Sequence, residues 1–213
     1  MHFRRHLRGD NRQVSAYLRD AARPKLHIGA GPRRLPGWLN TDIQPFRSTI
    51  LLDASRRFPF SDATFYYVFS EHMIEHLSFT DGQSMLRECY RVMCDGGRIR
   101  VATPNLTNVA ALYSHPHSDV EEQYLSWFRQ TFLPPDWPES RSSLLSAFFH
   151  FWGHKYIYDE PTLAGALSAA GFRSITRFRL NESNDENFTN LENTERYPDG
   201  LLDFESIALE GEK

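Results

Sequence analysis

The chain has 213 residues, enough to bury one substantial hydrophobic core, and we expect a single domain over residues 1–213. Its 24 Lys and Arg nearly balance its 27 Asp and Glu, so no global field favours nucleic acid or an anionic membrane as a partner. No stretch approaches the length of a membrane span, and no apolar run of signal-peptide length follows the basic start. We therefore expect a cytoplasmic protein.

Apolar spacings along the chain predict strands that alternate with helices. An amphipathic helix is predicted over 11–22. A second helix is opened by a capping box at 80–83 and ended by Gly96, and a third is capped by Asp159 and ended at Gly171. Seven strands are predicted, at 26–29, 38–43, 49–53, 64–70, 98–103, 175–180 and 204–209.

This alternation is typical of a doubly wound, mostly parallel α/β sheet of seven strands with a Rossmann-like arrangement. Ligands of such sheets bind along the edge formed by the carboxyl ends of the strands. Only about eight residues separate Gly29 from Trp38, which is too few for a usual crossover. The first connecting helix must therefore be a single turn or absent.

A helical, aromatic-rich insertion at about 113–158 interrupts the alternation, and the Pro-rich stretch 134–138 divides it into two helical pieces. Beside the sheet, such a segment can form a lid and one wall of a binding pocket. Aromatic residues at helical spacing can equally belong to the hydrophobic core. Both interpretations stay open. An N-terminal helical arm over 1–23 precedes the sheet, and the polar stretch 181–193 is predicted to be a surface loop.

The two cysteines, Cys89 and Cys94, fall in a segment predicted to be helical. Five positions apart on a helix, they would point roughly 140° apart around its axis, which no disulfide spans. Two unpaired thiols indicate a reducing compartment.

A glycine turn leaves the first predicted strand at Gly29 and Gly31, and Asp42 closes the next strand eleven residues later. Glycines allow backbone groups to approach a ligand, and an acid at this point can accept both hydroxyls of a ribose. A dinucleotide site instead expects a third glycine, where this chain has Arg34, and an acid about 20 residues beyond. The pattern favours a nucleoside-bearing cofactor other than NAD.

Three blocks, at 51–65, 68–77 and 86–101, resemble in order and spacing the class I S-adenosylmethionine-dependent methyltransferases, closest to their small Methyltransferase-11-like branch. The resemblance covers about 25–104 and, less sharply, 152–210. It implies methyl transfer as the activity and S-adenosylmethionine as the cofactor. The cofactor-binding positions that it implies are Gly29, Ala30 and Gly31 for the methionine part, Asp42 for the ribose, Asp53 and Ala54 for the adenine, and Ser70, Glu71 and His72 beside the sulfonium.

Candidate catalytic residues follow the fourth strand. His72, Glu75 and His76 could orient or deprotonate an acceptor hydroxyl, carboxyl or amine, and His154 of the insertion could complete the pocket from above. The alternative is that they only cap and hydrogen-bond the loop. The same spacing matches an inverted zinc-protease motif, but that motif needs a long helix and a third ligand, so no metal is predicted.

The predicted function is methyl transfer from S-adenosylmethionine to a small-molecule acceptor, with oxygen favoured and a sugar or related metabolite as one candidate. A non-catalytic, cofactor-binding regulatory or scaffold subunit is the alternative, because Pro32, Arg33 and Tyr66 depart from the family's pattern. A zinc hydrolase is a remote second alternative. The expected partner is a small molecule, with neither nucleic acid nor membrane, and a homodimer stays open.

Overall fold

Seven strands form one sheet in the computed structural model, which describes residues 3–44, 46–47, 49–114 and 118–213, and only the backbone of 3–10. In chain order the strands are β1 (Lys25–Ile28), β2 (Leu39–Asp42), β3 (Ile50–Leu51), β4 (Phe65–Glu71), β5 (Met93–Pro104), β6 (Arg173–Phe178) and β7 (Ser206–Glu212). Their order across the sheet is β3-β2-β1-β4-β5-β7-β6. The strands from β3 to β5 run parallel, and β7 runs antiparallel to both of its neighbours. The predicted fold class is confirmed.

The described residues include seven α-helices. The first begins at Phe3, earlier than the predicted 11–22 helix, and ends at Asp20. The helices are α1 (Phe3–Asp20), α2 (Phe79–Val92), α3 (Leu106–Ala111), α4 (Asp119–Phe132), α5 (Arg141–His150), α6 (Glu160–Ala170) and α7 (Leu201–Glu205). Between β1 and β2 the described chain forms turns without a helix, as its short spacing predicted. None of the described helices combines the length and apolarity that a membrane span needs. Residues 1–2 of the predicted arm and 115–117 of the predicted insertion lie outside the described residues.

The predicted carboxyl end of α2 is wrong. The helix ends at Val92 rather than at Gly96, because Met93 already pairs with Phe65 of β4, so Cys94 lies in β5. The pairing of β5 with β4 therefore ends the helix before Gly96 and Gly97. Both cysteines are free thiols, but the helical angle between them does not apply.

The other end of α2 and the start of the last strand also differ from prediction. The N-cap of α2 is Ser78, whose hydroxyl accepts from the Asp81 amide at 3.2 Å and donates to the Asp81 carboxylate at 2.7 Å. The predicted box at Thr80 lies inside the helix. Phe204, predicted to begin the last strand, lies in α7. In contrast, Asp159 caps α6 as predicted, with its carboxylate accepting from the Thr162 amide.

The two faces of the sheet are covered differently. Successive strand residues point to opposite faces, so Val68 and Phe69 belong to different cores. Val68 packs in the main core, which α2 and α6 close. Phe69 packs with Phe188 and Leu191 of an irregular segment that covers the second face.

A buried arginine holds part of the stretch 181–193, in which Phe188, Leu191 and Glu192 are buried, so the prediction of a surface loop is wrong at these three residues. Arg100 of β5 is fully buried. Its guanidinium donates to Glu192 at 2.6 Å, to Glu210 at 2.7 Å and to the carbonyl oxygen of Glu182 at 2.9 Å. A buried cation must be paired and hydrogen-bonded, and this requirement holds the polar stretch against the sheet.

The insertion serves both as core and as cavity wall. Its helices α4 and α5 flank the Pro-rich stretch, as predicted. Tyr124, Phe128 and Phe148 are fully buried in a second hydrophobic core. Trp152, however, is 47% exposed and faces the cavities described below.

Candidate active site

The glycine turn and the acid that follows it lie side by side at the carboxyl edge of the sheet. Gly29 and Gly31 have φ of +74° and +54°, which L side chains rarely adopt. The Gly29 and Ala30 amides both donate to the Thr41 carbonyl at 3.0 Å, and the Gly31 amide donates to the Asp42 carboxylate at 2.8 Å. A Cβ at Gly29 would lie 2.3 Å from Met73 Cγ. Glycine is therefore required at position 29 by both conformation and space.

A cavity of about 550 Å³ opens over this turn, and we call it the cofactor cavity. Several predicted cofactor residues line this cavity. Ala30 does not line it and is buried. Among its lining residues are Gly29, Gly31, Asp42, Asp53, Ala54 and His72. The cavity brings together the positions that the sequence predicted for the methionine part, the ribose and the adenine.

Asp53 is held ionised at the rim of the cofactor cavity. Its carboxylate accepts from the Ser55 hydroxyl at 2.6 Å and the Ser55 amide at 3.1 Å, and it pairs with Arg56 at 2.9 Å. The Ser55 hydrogen bond, with Arg56 beside it, lowers the pKa of Asp53. The group is therefore a hydrogen-bond acceptor at neutral pH.

Ser70 and Glu71 do not line the cofactor cavity, unlike most of the residues predicted with them. Ser70 is fully buried within β4, and its hydroxyl has no hydrogen-bond partner in the described part of the chain. The Glu71 carboxylate accepts from the Asn193 amide at 2.9 Å and pairs with Arg196 at 3.1 Å and Arg33 at 3.6 Å. Their predicted roles beside the sulfonium stay predictions. In this structure Ser70 is buried within β4, and Glu71 pairs with residues outside the cofactor cavity.

His72 occupies the first position after β4, in a left-handed conformation with φ of +46°. Its Nε2 lies 2.8 Å from the Ser206 hydroxyl, and its Nδ1 lies 3.6 Å from Glu75 Oε1. Burial lowers the pKa of His72 well below its usual value, so the ring is neutral at pH 7.

Glu75 is the most unusual ionisable group of the site. It is fully buried, and its Oε2 accepts from the Thr103 hydroxyl at 3.0 Å. Its Oε1 has no hydrogen-bond partner among the described residues. Burial raises the pKa of Glu75 to about 8. Its carbonyl oxygen accepts from the amides of Lys155 at 2.8 Å and Tyr156 at 3.2 Å, which pins the insertion to this turn.

His76 and His154 meet at the same place from different parts of the chain. Their ring centroids are 5.2 Å apart, and His76 Nε2 lies 4.0 Å from Glu75 Oε1. His154 Nδ1 lies 2.7 Å from the Phe148 carbonyl oxygen, so Nδ1 carries the proton and Nε2 is free. Burial lowers the pKa of both rings, which are therefore neutral at pH 7. The structure thus brings three of the four predicted catalytic residues within 4.8 Å, and His72 adjoins them.

A second cavity of about 820 Å³ lies beside the first, and we call it the acceptor cavity. The two cavities share His72, His76, Phe46 and Trp152 in their walls. Five aromatic rings of the insertion line part of the acceptor cavity. These rings are Trp127, Phe128, Phe132, Phe148 and Trp152.

The residues of the acceptor cavity that were not predicted from the sequence include Arg196, Tyr197 and Glu205. Glu205 is buried and accepts from the hydroxyls of Tyr124 and of Tyr197, the latter at 2.9 Å. Arg196 and Tyr197 lie in a polar segment without periodicity or motif, and Glu205 falls in the last predicted strand, so no local signal marks these residues as part of a site.

Comparisons with known proteins agree with this architecture. Residues 33–101 match the methyltransferase domain family. An S-adenosylmethionine-dependent methyltransferase from Archaeoglobus fulgidus is similar over 97% of this chain and 93% of that chain, at 16% identity and a TM-score of 0.55. A Thermotoga maritima methyltransferase, described as a possible histamine N-methyltransferase, is similar over 89% and 82%, at 16% identity and a TM-score of 0.50. No curated protein matches the sequence.

The fold and the match to methyltransferase domains define the same class of enzyme, that of the class I methyltransferases. The recognition made from the sequence is confirmed: residues 33–101 match the methyltransferase domain family, the chain has the fold of S-adenosylmethionine-dependent methyltransferases, and S-adenosylmethionine is the cofactor that this domain and fold imply. The cofactor cavity fits this molecule, because the glycine turn leaves room where a side chain would stand and Asp42 and Asp53 offer carboxylates at its wall.

Proposed function

We propose that the chain acts as a single domain over residues 1–213 and methylates an oxygen atom of a small molecule held in the acceptor cavity. The observation that carries this proposal is the contact of the two cavities at His72 and His76. Methyl transfer is an in-line displacement, so its main requirement is that donor and acceptor be aligned in adjoining compartments that exclude water. The volume of the acceptor cavity is in the range of small-molecule sites.

The cofactor would be held by the residues of the cofactor cavity. Bound S-adenosylmethionine supplies a methyl group that is already activated on a sulfonium. Asp42 would accept the ribose hydroxyls, and Asp53, ionised at neutral pH, would accept from the adenine amino group. The turn at Gly29 and Gly31 would let the backbone approach the methionine part.

His72 is our candidate for the base that takes the acceptor's hydroxyl proton. It lines both cavities, and its ring is neutral and has a lone pair to offer. His72 would take this proton while the methyl group passes from the sulfonium to the acceptor oxygen, with the carbon–sulfur bond broken and S-adenosylhomocysteine left as the second product. The Ser206 hydroxyl, 2.8 Å from Nε2, would orient the ring.

The walls of the acceptor cavity support a small and partly apolar acceptor. Five aromatic rings of the insertion form part of the lining, and Arg196 adds one cationic group. We propose a cytoplasmic location, where the free thiols of Cys89 and Cys94 would stay reduced.

Two measurements test the function. Calorimetric titration with S-adenosylhomocysteine should show binding by the wild type that Asp53→Ala abolishes. Release of S-adenosylhomocysteine from S-adenosylmethionine should then be followed over a panel of small alcohols, carboxylates and amines. His72→Gln should keep the cofactor affinity and lose turnover, whereas His150→Gln, at an exposed position outside both cavities, should retain both.

Failure of the wild type to bind S-adenosylhomocysteine would contradict the proposed cofactor site. Turnover confined to amines would contradict the choice of oxygen. Binding without turnover on any acceptor would favour the regulatory alternative. Two of the three departures that motivated this alternative make contacts that stabilise the fold: Arg33 pairs with Glu71 and donates to the Leu191 carbonyl, and Tyr66 stacks under Arg23.

A further inference from the structure

Three potential metal ligands from two distant segments converge between the cofactor cavity and the acceptor cavity. Glu75 and His76 belong to the turn after β4, and His154 comes from the insertion. One ligand atom of each lies within 4.8 Å of the others. A carboxylate and two imidazoles that leave open positions are a ligand set typical of divalent transition metals.

The unpartnered oxygen of Glu75 points to a missing ligand. Buried polar atoms nearly always have a hydrogen-bond partner, so an orphaned one is unusual. Glu75 is fully buried, its Oε2 is satisfied by Thr103, and its Oε1 has no hydrogen-bond partner among the described residues. His72 Nδ1 lies 3.6 Å from Oε1, and His76 Nε2, which belongs to the cluster, lies 4.0 Å from it. Two ligands that each lie about 2.1 Å from one ion are at most about 4.2 Å apart, so this pair already has a suitable separation.

His154 is oriented as metal-binding histidines usually are. Its Nδ1–H donates to the Phe148 carbonyl at 2.7 Å, which fixes the tautomer and leaves Nε2 as the donor atom. The ring is also held by the packing of Phe148 and Trp152 against it, with centroids 5.6 Å and 5.7 Å away. The backbone bonds from Lys155 and Tyr156 to the Glu75 carbonyl keep the two segments together.

We propose that Glu75, His76 and His154 bind a divalent transition-metal cation, of the kind that accepts mixed nitrogen and oxygen ligands. All three residues line the acceptor cavity, so the open coordination positions would face the acceptor. The cation would bind and acidify the hydroxyl that is to be methylated, and an acceptor with two adjacent oxygen donors would bind best. This last step rests on the proposed function, whereas the metal site itself does not.

Cobalt is the probe for the test, because the visible absorption of Co²⁺ reports its coordination directly and without any turnover. The full chain, freed of metal with a chelator, should bind one equivalent of Co²⁺ with a visible spectrum, and Zn²⁺ should displace it. Glu75→Gln and His154→Ala should each weaken Co²⁺ binding by more than about 100-fold, beyond the cost of losing an outer partner. His150→Ala, whose exposed side chain lies four residues before His154 and outside the cluster, is the matched control and should bind as the wild type does.

Titration of each variant with S-adenosylhomocysteine separates the possible outcomes, because retained binding shows that the variant is folded. A wild type that binds S-adenosylhomocysteine and no Co²⁺ or Zn²⁺ would overturn the metal site and leave the proposed function standing. One that binds Co²⁺ and no S-adenosylhomocysteine would do the reverse. If Glu75→Gln unfolds, His154→Ala decides alone, and unchanged Co²⁺ affinity in a folded His154→Ala would overturn the assignment.

Discussion

The backbone amide of Gly31 donates to the carboxylate of Asp42 at 2.8 Å, although the two residues leave different strands of the sheet. The second carboxylate oxygen accepts from the Gln44 amide at 2.8 Å. Asp42 therefore shapes the glycine turn as well as facing the cofactor cavity, and the two roles can be separated by substitution.

Replacement of Asp42 should weaken both the glycine turn and cofactor binding. Asp42→Ala removes the proposed ribose acceptor and leaves the Gly31 amide unpaired, at a cost of about 1.5–3 kcal/mol for a hydrogen bond to a charged group. We expect the affinity for S-adenosylhomocysteine to fall by about 10- to 100-fold in calorimetry. Asp42→Asn keeps an acceptor for Gly31 and should lose less. Equal affinities in Asp42→Ala and the wild type would place the ribose elsewhere.

Gly29 and Gly31 should respond differently to an added methyl group. At Gly29 a Cβ would overlap Met73, whereas nothing lies within 4 Å of a Cβ at Gly31. We therefore expect Gly29→Ala to lower the free energy of unfolding more than Gly31→Ala, as measured by urea denaturation. Met73→Ala should recover part of the loss in the double variant, because it removes the overlapping atoms. No recovery would show that the positive φ alone sets the cost at position 29.

His27 should make the protein less stable as the pH falls from about 6.5 to about 4. Burial lowers the pKa of His27 to about 4, below the ordinary 6.5 of the unfolded chain, while its Nδ1 lies 3.0 Å from Asn40 Oδ1. Between these values the unfolded state binds the proton first, so protonation favours unfolding by up to about 3 kcal/mol. Above pH 6.5 this contribution to stability is fully present.

The check on His27 is a comparison of urea denaturation at pH 7 and pH 4.5. His27→Gln should lose less stability between the two pH values than the wild type, and the exposed His150→Gln should behave as the wild type. Identical pH dependence in the wild type and His27→Gln would mean that other buried groups cause the acid sensitivity.

Arg100 should be among the most sensitive positions for stability. Its removal leaves the buried carboxylates of Glu192 and Glu210 without their cation, and loss of one partner of a buried pair costs about 3–5 kcal/mol. Arg177 pairs with Glu160 at 2.7 Å on the surface, where such pairs contribute little. Urea denaturation should therefore show a large loss for Arg100→Met and almost none for Arg177→Met. Comparable losses would contradict the role given to burial.

The sheet and the cofactor edge could be predicted from the sequence because their signals are local. Gly29, Gly31 and Asp42 stand at strand ends, where glycine and acid have direct conformational and chemical meaning. The boundaries at Val92 and Ser206 could not be predicted as well, because pairing with neighbouring strands overrides local propensity there.

The acceptor side of the site depends on contacts that no local pattern encodes. His154 reaches Glu75 only because the insertion folds back onto the turn after β4. Arg196 and Glu205 line the same cavity, although they follow the polar stretch that Arg100 holds against the sheet through Glu192. Such long-range placements follow from the whole fold and have no periodicity to detect.

Two hydrogen bonds that tie the insertion to the turn after β4 come from the backbone amides of Lys155 and Tyr156, and the acceptor is the backbone carbonyl of Glu75. Main-chain bonds are nearly indifferent to the side chains of the residues that make them, apart from proline. The insertion can therefore change much of its sequence, and with it the molecules it selects, without coming loose from the turn. Divergence of acceptor preference among descendants of this chain would then need no change in the turn after β4.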